Sequence, residues 1–196
     1  MLHRFDVVRS LHAFRAVKLP PGERGTAAVC IAICVRDNEC TIWLAEHAPN
    51  GGAGGLALPG GCVDPGETVA EAAVRQLREE LGIAIHPGQI LGELDDFATV
   101  SGYVITPFVV WIGQFVGEPD VSGLRADRVH TVSMSEIDVD PLVEFSSARE
   151  PMLKWPFRHT EVCAPTAAIV HQFREVVLRR RITRVAHFRQ PTPAWR

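Results

Sequence analysis

The chain has 196 residues, of which 46% are hydrophobic, and its formal net charge is −3. This length is sufficient for one domain with a sizeable core. No apolar run reaches the length of a membrane span, which argues against a membrane protein. The slightly acidic balance argues against a nucleic-acid partner, because no overall basic field would attract one. We therefore predict a single domain over residues 1–196, with an N-terminal extension at 1–20 and a C-terminal tail at 182–196.

The five cysteines lack the spacing of a metal site, and their number is odd. Cys30 and Cys34 lie in a strand-like apolar run, where a free cysteine behaves as a small hydrophobic residue. We therefore expect free thiols and a reducing, cytoplasmic compartment.

Residues 1–15 mix arginines with scattered apolar side chains. Asp6 and the lack of a serine-rich character argue against a transit peptide. We interpret this segment as an extra N-terminal strand or a dimer arm. Apolar residues near both termini have no obvious core role, which favours a homodimer.

The next segments predict a β-hairpin. Residues 26–36 and 40–46 have strand-like composition, and a turn at 37–39 separates them. A glycine-rich loop follows at 49–55. It lacks the lysine of a phosphate-binding P-loop, so a flexible surface loop is the favoured interpretation over direct phosphate contact.

A helix is predicted next. The capping box formed by Thr68 and Glu71 places its start at Val69, and Gly82 marks its C-terminal end. Three apolar residues at helical spacing predict its buried stripe: Val74, Leu77 and Leu81.

Three polar residues, Gln76, Glu79 and Glu80, are spaced to share the opposite face of this helix. Two adjacent carboxylates on a rigid helix repel each other unless a cation lies between them. Oxygen ligands of this kind select Mg²⁺ or Mn²⁺, and Mg²⁺ commonly binds one or two carboxylates together with substrate phosphates. Such an ion can polarise a phosphoryl oxygen and activate water. The alternative is an ordinary solvated face.

The second half of the chain predicts further strands and one helix. Residues 89–100 begin as a strand, and residues 104–116 predict a central strand in which Pro107 requires an edge, a bulge or a local break. Residues 129–134 predict a short strand. Pro165 lies near a helix start. The buried face of that helix is predicted to contain Ile169, Phe173 and Val176 or Val177, and arginines 179–181 end it.

Residues 61–83 resemble the Nudix box, the signature of hydrolases that cleave a diphosphate linked to another moiety. Eight of nine defining positions agree: Gly61, Glu67, Arg75, Leu77, Glu79, Glu80, Gly82 and Ile83. One position departs, because Gln76 stands where the family has the first glutamate of its Arg-Glu pair. The resemblance implies an α/β fold, specifically an α/β/α sandwich with a mixed β-sheet.

The resemblance also implies roles for individual residues. Glu79, Glu80 and the carbonyl of Gly60 would hold Mg²⁺ or Mn²⁺. Arg75, together with Gly61 and Glu67 in the preceding loop, would orient the glutamates; these roles are implied by the family and not by the spacing alone.

The substituted position changes what the site can do. Gln76 can form hydrogen bonds but cannot take a proton at neutral pH, so the activity is expected to be weakened, moved to another base or lost. In many relatives a further glutamate comes from beyond the central strand, where this chain has Arg128. Other acids that could replace it are Glu93, Asp95, Asp96, Glu118 and Asp127.

Residues 94–107 are similar to the segment after the box in Nudix coenzyme A diphosphatases. The matching residues are Thr99, Ser101, Gly102, Tyr103, Ile105, Thr106 and Pro107. The resemblance implies that Thr99, Ser101 and Tyr103 bind substrate, although they could equally shape the start of a strand. That branch usually has an arginine-rich, histidine-containing motif before the box, and here His47 stands alone.

The sequence therefore predicts a metal-dependent hydrolase of a nucleoside diphosphate derivative, with coenzyme A-like compounds as one candidate substrate. The alternative is a Nudix domain with a degenerate metal site that binds a nucleotide or a protein partner. A prenyl diphosphate isomerase is disfavoured, because no supporting cysteine and glutamate motif is evident.

Overall fold

In a computed structural model of the protein, residues 2–47 and 55–190 are described. The helices are α1 (Arg4–Phe14), α2 (Val69–Leu81), α3 (Met134–Ile137) and α4 (Thr166–Phe173). The strands are β1 (Gly25–Arg36), β2 (Glu39–His47), β3 (Gly55–Ala57), β4 (Gly60–Cys62), β5 (Ile90–Glu93), β6 (Phe97–Ala98), β7 (Tyr103–Gln114), β8 (Arg128–Ser133), β9 (Leu142–Phe145), β10 (Pro151–Phe157) and β11 (Thr160–Cys163). Most of the glycine-rich loop and Trp195 lie outside the described residues.

Eight strands form one mixed sheet. Its main order is β3-β2-β1-β7-β5, while β4 also pairs with β1, β6 with β7, and β8 with β2. Only β1 and β7 are parallel among these pairs. The predicted hairpin of β1 and β2 is present, and Asp37 and Asn38 form its two-residue turn with φ values of 49° and 64°.

The two faces of β1 carry different side chains because successive residues of a strand point to opposite sides. Cys30 and Ala32 face α2, and the small Cys30 thiol lies 3.5 Å from the carbonyl oxygen of Ala73 in that helix. Ile31 and Ile33 belong to a second core on the other face, with residues of α1 and α4. Helices therefore cover both faces of the sheet, which confirms the predicted α/β/α sandwich.

The predicted extra N-terminal strand is wrong, and the alternative of a dimer arm stays a prediction. Residues 4–14 form α1, and Val7, Leu11 and Phe14 are buried in the main core. These side chains are four and three positions apart, so they lie on one stripe of a helix. Val7, Leu11 and Phe14 thus have a core role, whereas Phe5 on the same helix is 73% exposed. The predicted homodimer stays a prediction.

Pro107 lies in the interior of β7, where the sheet tolerates it because the neighbouring strand is interrupted. Its carbonyl accepts a hydrogen bond from the Leu94 amide, so its nitrogen faces the same side. On that side β5 has ended at Glu93 and β6 begins at Phe97. The predicted local break is therefore present, and it belongs to the partner strand.

A second, three-stranded sheet of order β11-β10-β9 was not anticipated from the sequence. Its middle strand contributes Leu153 and Trp155 to the main core. The predicted helix near the C-terminus is present as α4, extended by a π-helical turn at Arg174–Leu178. Its buried face contains all four predicted residues: Ile169, Phe173, Val176 and Val177.

The carboxylate of Asp95 joins three distant segments. Its Oδ1 accepts hydrogen bonds from the Val17 amide at 2.7 Å and from Arg184 Nη1 at 2.5 Å. Its Oδ2 accepts one from Gln172 Nε2 at 2.8 Å. Beside it, the pKa of Lys18 is raised because its hydrogen bonds to Asp96 and Glu93 outweigh the opposing effect of burial.

No helix within residues 2–47 and 55–190 combines the length and apolar character needed to cross a bilayer.

Candidate active site

The box helix has the local structure that the sequence predicts. Thr68 and Glu71 form a reciprocal capping box, the helix begins at Val69, and Gly82 ends it with a φ of 66°. The burial of its side chains differs from the prediction on both faces. Val74 is only half-buried, whereas Gln76 and Glu80 have exposed fractions of 2% and 5%.

The face that carries Gln76 and Glu80 is covered by β4. A Cβ atom added to Gly61 would lie 2.5 Å from Gln76 Nε2, so a larger residue there would force the Gln76 amide to move. The Gly60 amide donates a hydrogen bond to Glu80 Oε2 at 3.1 Å. The two glycines thus bring the backbone of β4 against the polar face of α2.

The carbonyl of Gly60 is directed to the same edge of β4 as its amide. The Val63 amide and the Pro59 carbonyl form hydrogen bonds with β1. Backbone groups of successive strand residues point to opposite edges, so those of Gly60 point away from β1. Consistent with this, the carbonyl of Cys62 accepts a hydrogen bond from Arg75 Nη2 at 3.0 Å. The outer edge of β4 therefore presents carbonyl oxygens toward α2.

Arg75 and Glu67 form a bidentate ion pair. Arg75 Nε lies 2.9 Å from Glu67 Oε1, and Nη2 lies 2.7 Å from Oε2. These hydrogen bonds hold the pKa of the Glu67 carboxyl below its usual value, and Glu67 raises the pKa of Arg75 in return. Arg75 Nη1 also donates to Glu79 Oε2 at 3.3 Å. The loop before the helix is thus tied to the helix through Arg75, which also contacts Glu79.

The two adjacent glutamates occupy different environments. Glu79 is partly exposed and is contacted by Arg125, whose Nη1 lies 2.8 Å from Glu79 Oε2. Burial raises the pKa of the Glu80 carboxyl, opposed by the Gly60 amide and by the nearby His47. His47 Nε2 is 3.7 Å from Glu80 Oε1.

A pocket of about 630 Å³ lies over these groups. Its lining residues are His47, Gly60, Gly61, Cys62, Asp64, Arg75, Gln76, Glu79, Glu80 and Arg125. The pocket therefore gathers the predicted metal and catalytic residues, while Glu67 supports it through Arg75.

The structure places Thr99 and Ser101 in the turn between β6 and β7, and Tyr103 at the first position of β7. Thr99 Oγ1 accepts a hydrogen bond from the Tyr103 amide and donates one to the Tyr103 carbonyl, and it lies 2.9 Å from Ser101 Oγ. None of the three is among the described residues that line the glutamate pocket. Their role in substrate binding stays a prediction.

The acids that could replace a glutamate at position 76 also lie outside the described lining of this pocket: Glu93, Asp95, Asp96, Glu118 and Asp127. Glu93 and Asp96 contact Lys18, and Glu118 accepts a hydrogen bond from Thr131. The Asp127 amide donates to the carbonyl of Glu46. A catalytic base among these acids stays a prediction.

Little in the sequence indicated that two further residues, His47 and Arg125, line the pocket. His47 ends β2 beside Glu80, but an isolated histidine in a sequence gives little indication of a site. Arg125 lies between β7 and β8 in a segment without regular structure, and only the tertiary fold brings it to Gln76 and Glu79. Its sequence neighbours contain no motif that would have identified it.

Comparison with known proteins places this arrangement in a family. The NUDIX domain model matches residues 24–156, more than half of the chain. The chain is 34% identical over 112 residues to the Uncharacterized Nudix hydrolase NudL of Klebsiella aerogenes, covering 55% of this chain and 88% of that protein. It is 41% identical over 141 residues to the protein of the same name from Escherichia fergusonii, covering 67% of this chain and 69% of that protein.

Solved structures that resemble the fold include a Nudix hydrolase from M. smegmatis, RenU. That similarity covers 81% of this chain and 94% of that chain, at 19% identity and a TM-score of 0.47. The chain belongs to the Nudix family on the strength of the sequence matches, and within it to the hydrolases. This membership is consistent with hydrolysis of a diphosphate bond in nucleoside diphosphate derivatives.

Proposed function

We propose that the protein hydrolyses the diphosphate bond of a nucleoside diphosphate derivative with the help of Mg²⁺ or Mn²⁺. The observation that supports this most strongly is the single pocket shared by Glu79, Glu80 and the outer edge of β4. Two carboxylates and a backbone carbonyl edge meet there, on elements fixed by the core and by the Glu67–Arg75 pair.

The donor set of this pocket fits a hard divalent ion. Among the described residues, no group of three or more histidine, cysteine or acidic side chains is arranged to hold a metal. Glu79 and Glu80 would supply two carboxylates from the pocket lining, and the Gly60 carbonyl, water and substrate phosphates would supply the remaining oxygens. Mg²⁺ commonly binds in this way, and such an ion polarises a phosphoryl oxygen.

The remaining residues of the pocket would position these groups. Arg75 holds Glu79 at one side, while the Gly60 amide holds Glu80 at the other. Gln76 would orient groups by hydrogen bonding and would leave proton removal to another base. We further propose a coenzyme A-like substrate, supported by the similarity of residues 94–107 to one Nudix branch. A small-molecule substrate, a cytoplasmic location and a homodimer complete the proposal.

The test is product release by the purified protein. Coenzyme A, NADH, ADP-ribose and nucleoside triphosphates would each be incubated with Mg²⁺ or Mn²⁺, and with EDTA as the metal-free control. Metal-dependent cleavage of one of them is expected, and the products identify the bond that is broken. Absence of cleavage of every substrate would contradict the proposed hydrolysis.

One observation favours the alternative, a domain that binds a nucleotide without cleaving it. In the described residues, Glu79 is paired with both Arg75 and Arg125, and position 76 lacks a carboxylate. Such a site has less repulsion between carboxylates for a cation to relieve than a site with three glutamates on one helix face.

Gln76→Glu tests this alternative. We expect it to lower the melting temperature in EDTA by about 5 °C, because an added buried carboxylate beside Glu79 and Glu80 costs roughly 2 kcal/mol in a chain of this size. Mg²⁺ should restore the loss by neutralising the added charge. Thermal unfolding with and without Mg²⁺ measures both effects.

The matched control is Gln114→Glu, at an exposed position near the end of β7. It makes the same chemical change and is expected to leave the melting temperature and its Mg²⁺ dependence unchanged. Hydrolysis that arises in Gln76→Glu from an inactive parent would favour the alternative. Equal melting temperatures for Gln76→Glu and the parent in EDTA would contradict the buried position of this side chain.

A further inference from the structure

Arg125 brings a positive charge into the pocket from outside the Nudix box. Its backbone amide donates a hydrogen bond to the carbonyl of Glu79 at 3.3 Å, which fastens the surrounding segment to α2. Its Nη1 donates to Glu79 Oε2 at 2.8 Å and to Gln76 Oε1 at 3.2 Å. The guanidinium is therefore held at the polar face of the box helix by two acceptors.

This guanidinium is also accessible to a ligand. The side chain of Arg125 is 60% exposed, and it lines the same pocket as both glutamates. Within the described part of the chain, its hydrogen bonds are made by Nη1, so Nη2 and Nε have donors to offer. An exposed ion pair contributes at most about 1 kcal/mol, so the contact with Glu79 can be exchanged for a stronger one.

Position 76 and Arg125 change the charge of the pocket in the same direction. A glutamate at position 76 would carry a negative charge, whereas Gln76 is neutral and offers its carbonyl oxygen to the arginine. Arg125 adds a positive charge directly beside it. The pocket is therefore two charges more positive than one with a glutamate at 76 and no arginine, which favours a polyanionic ligand over a second cation.

We propose that Arg125 is a substrate-binding residue whose guanidinium contacts the diphosphate, so that the pocket binds a diphosphate before any divalent cation is present. The inference rests on the proposed function for the chemical class of ligand. A guanidinium suits this role because its planar donors match two oxygens of a phosphate group. Gln76 would be a positioning residue that holds the guanidinium.

The test is binding of inorganic diphosphate to the whole 196-residue chain in EDTA, measured by isothermal titration calorimetry. We expect measurable binding by the wild type. Arg125→Ala should weaken it about 10- to 100-fold, the fold-change typical of a lost hydrogen bond to a charged group. Arg125→Lys keeps the charge but loses the forked geometry, so it should give an intermediate affinity.

Arg128→Ala is the matched control. Arg128 is three residues away and 72% exposed, and it lies 4.0 Å from Glu46 without lining the described pocket. It removes the same charge from the same region, and its affinity for diphosphate should stay within about twofold of the wild type, because exposed charges are screened.

Two results would overturn the assignment of Arg125: no diphosphate binding by the wild type in EDTA, or equal affinities for Arg125→Ala and Arg128→Ala. Failure of the proposed hydrolase function is detected separately. It would appear as absence of metal-dependent product release by the wild type, whatever the affinity for diphosphate in EDTA.

Discussion

Glu80→Gln is expected to lower kcat for metal-dependent diphosphate cleavage by about a thousandfold or more, because a metal ligand contributes several kcal/mol to transition-state stabilisation. The substitution removes one negative charge from the proposed metal site. It changes little else, since the glutamine oxygen can still accept the hydrogen bond from the Gly60 amide that Glu80 accepts at 3.1 Å. The measurement is the initial rate at saturating substrate with Mg²⁺ and with Mn²⁺.

The glutamate Glu39, exposed at the start of β2, supplies the control. Glu39→Gln makes the same chemical change away from the pocket and should leave kcat unaltered. A melting temperature measured for each variant separates loss of the site from loss of the fold. If Glu80→Gln kept the kcat of the wild type, the proposed role of this carboxylate in metal binding would be wrong.

Gly60→Ala is expected to destabilise the fold by about 3 kcal/mol, near the upper end of the range for overpacked sites. The added Cβ would lie 2.2 Å from the Ala28 carbonyl oxygen and 2.7 Å from Val29 Cα. Both atoms belong to the backbone of β1, a central strand packed on both faces, so neither can move away at low cost. Denaturant unfolding gives the change in the free energy of unfolding directly.

Gly55→Ala provides the comparison within the same part of the sheet. A Cβ at Gly55 would meet no atom of residues 2–47 and 55–190 within 4 Å, and Gly55 has no left-handed φ. Its effect should stay within about 0.5 kcal/mol. Equal stabilities for Gly60→Ala and Gly55→Ala would show that β4 does not approach β1 as closely as described.

The box helix was predictable to the residue because its limits are set by local chemistry. The capping box of Thr68 and Glu71 and the left-handed Gly82 act within one turn of the chain. The environment of its polar face was not predictable in this way. Gln76 and Glu80 are buried because Gly60 and Gly61 let a neighbouring strand approach, and that approach is a property of the sheet.

The missed elements depend on contacts between distant parts of the chain. Every residue of β9 is exposed, so its burial shows no alternation, and only its pairing with β10 defines it as a strand. Arg125 reaches the pocket through a segment whose path is fixed by α2, since its amide bonds to the carbonyl of Glu79. The apolar residues of helix α1 are regularly spaced, but the helix also contains several polar residues. This mixture favoured the interpretation as an extra strand or a dimer arm.

The Nudix match covers residues 24–156, but buried contacts join this region to residues on both sides of it. Asp95 has an exposed fraction of 3%. Its carboxylate is paired with Arg184 and accepts hydrogen bonds from Val17 and Gln172, and all three residues lie outside the match. A fragment trimmed to residues 24–156 would carry this carboxylate without those three partners. Arg184 also donates a hydrogen bond to the Arg15 carbonyl, so the N-terminal and C-terminal flanks contact each other as well as the matched region. We therefore expect that removing either flank would destabilise the other.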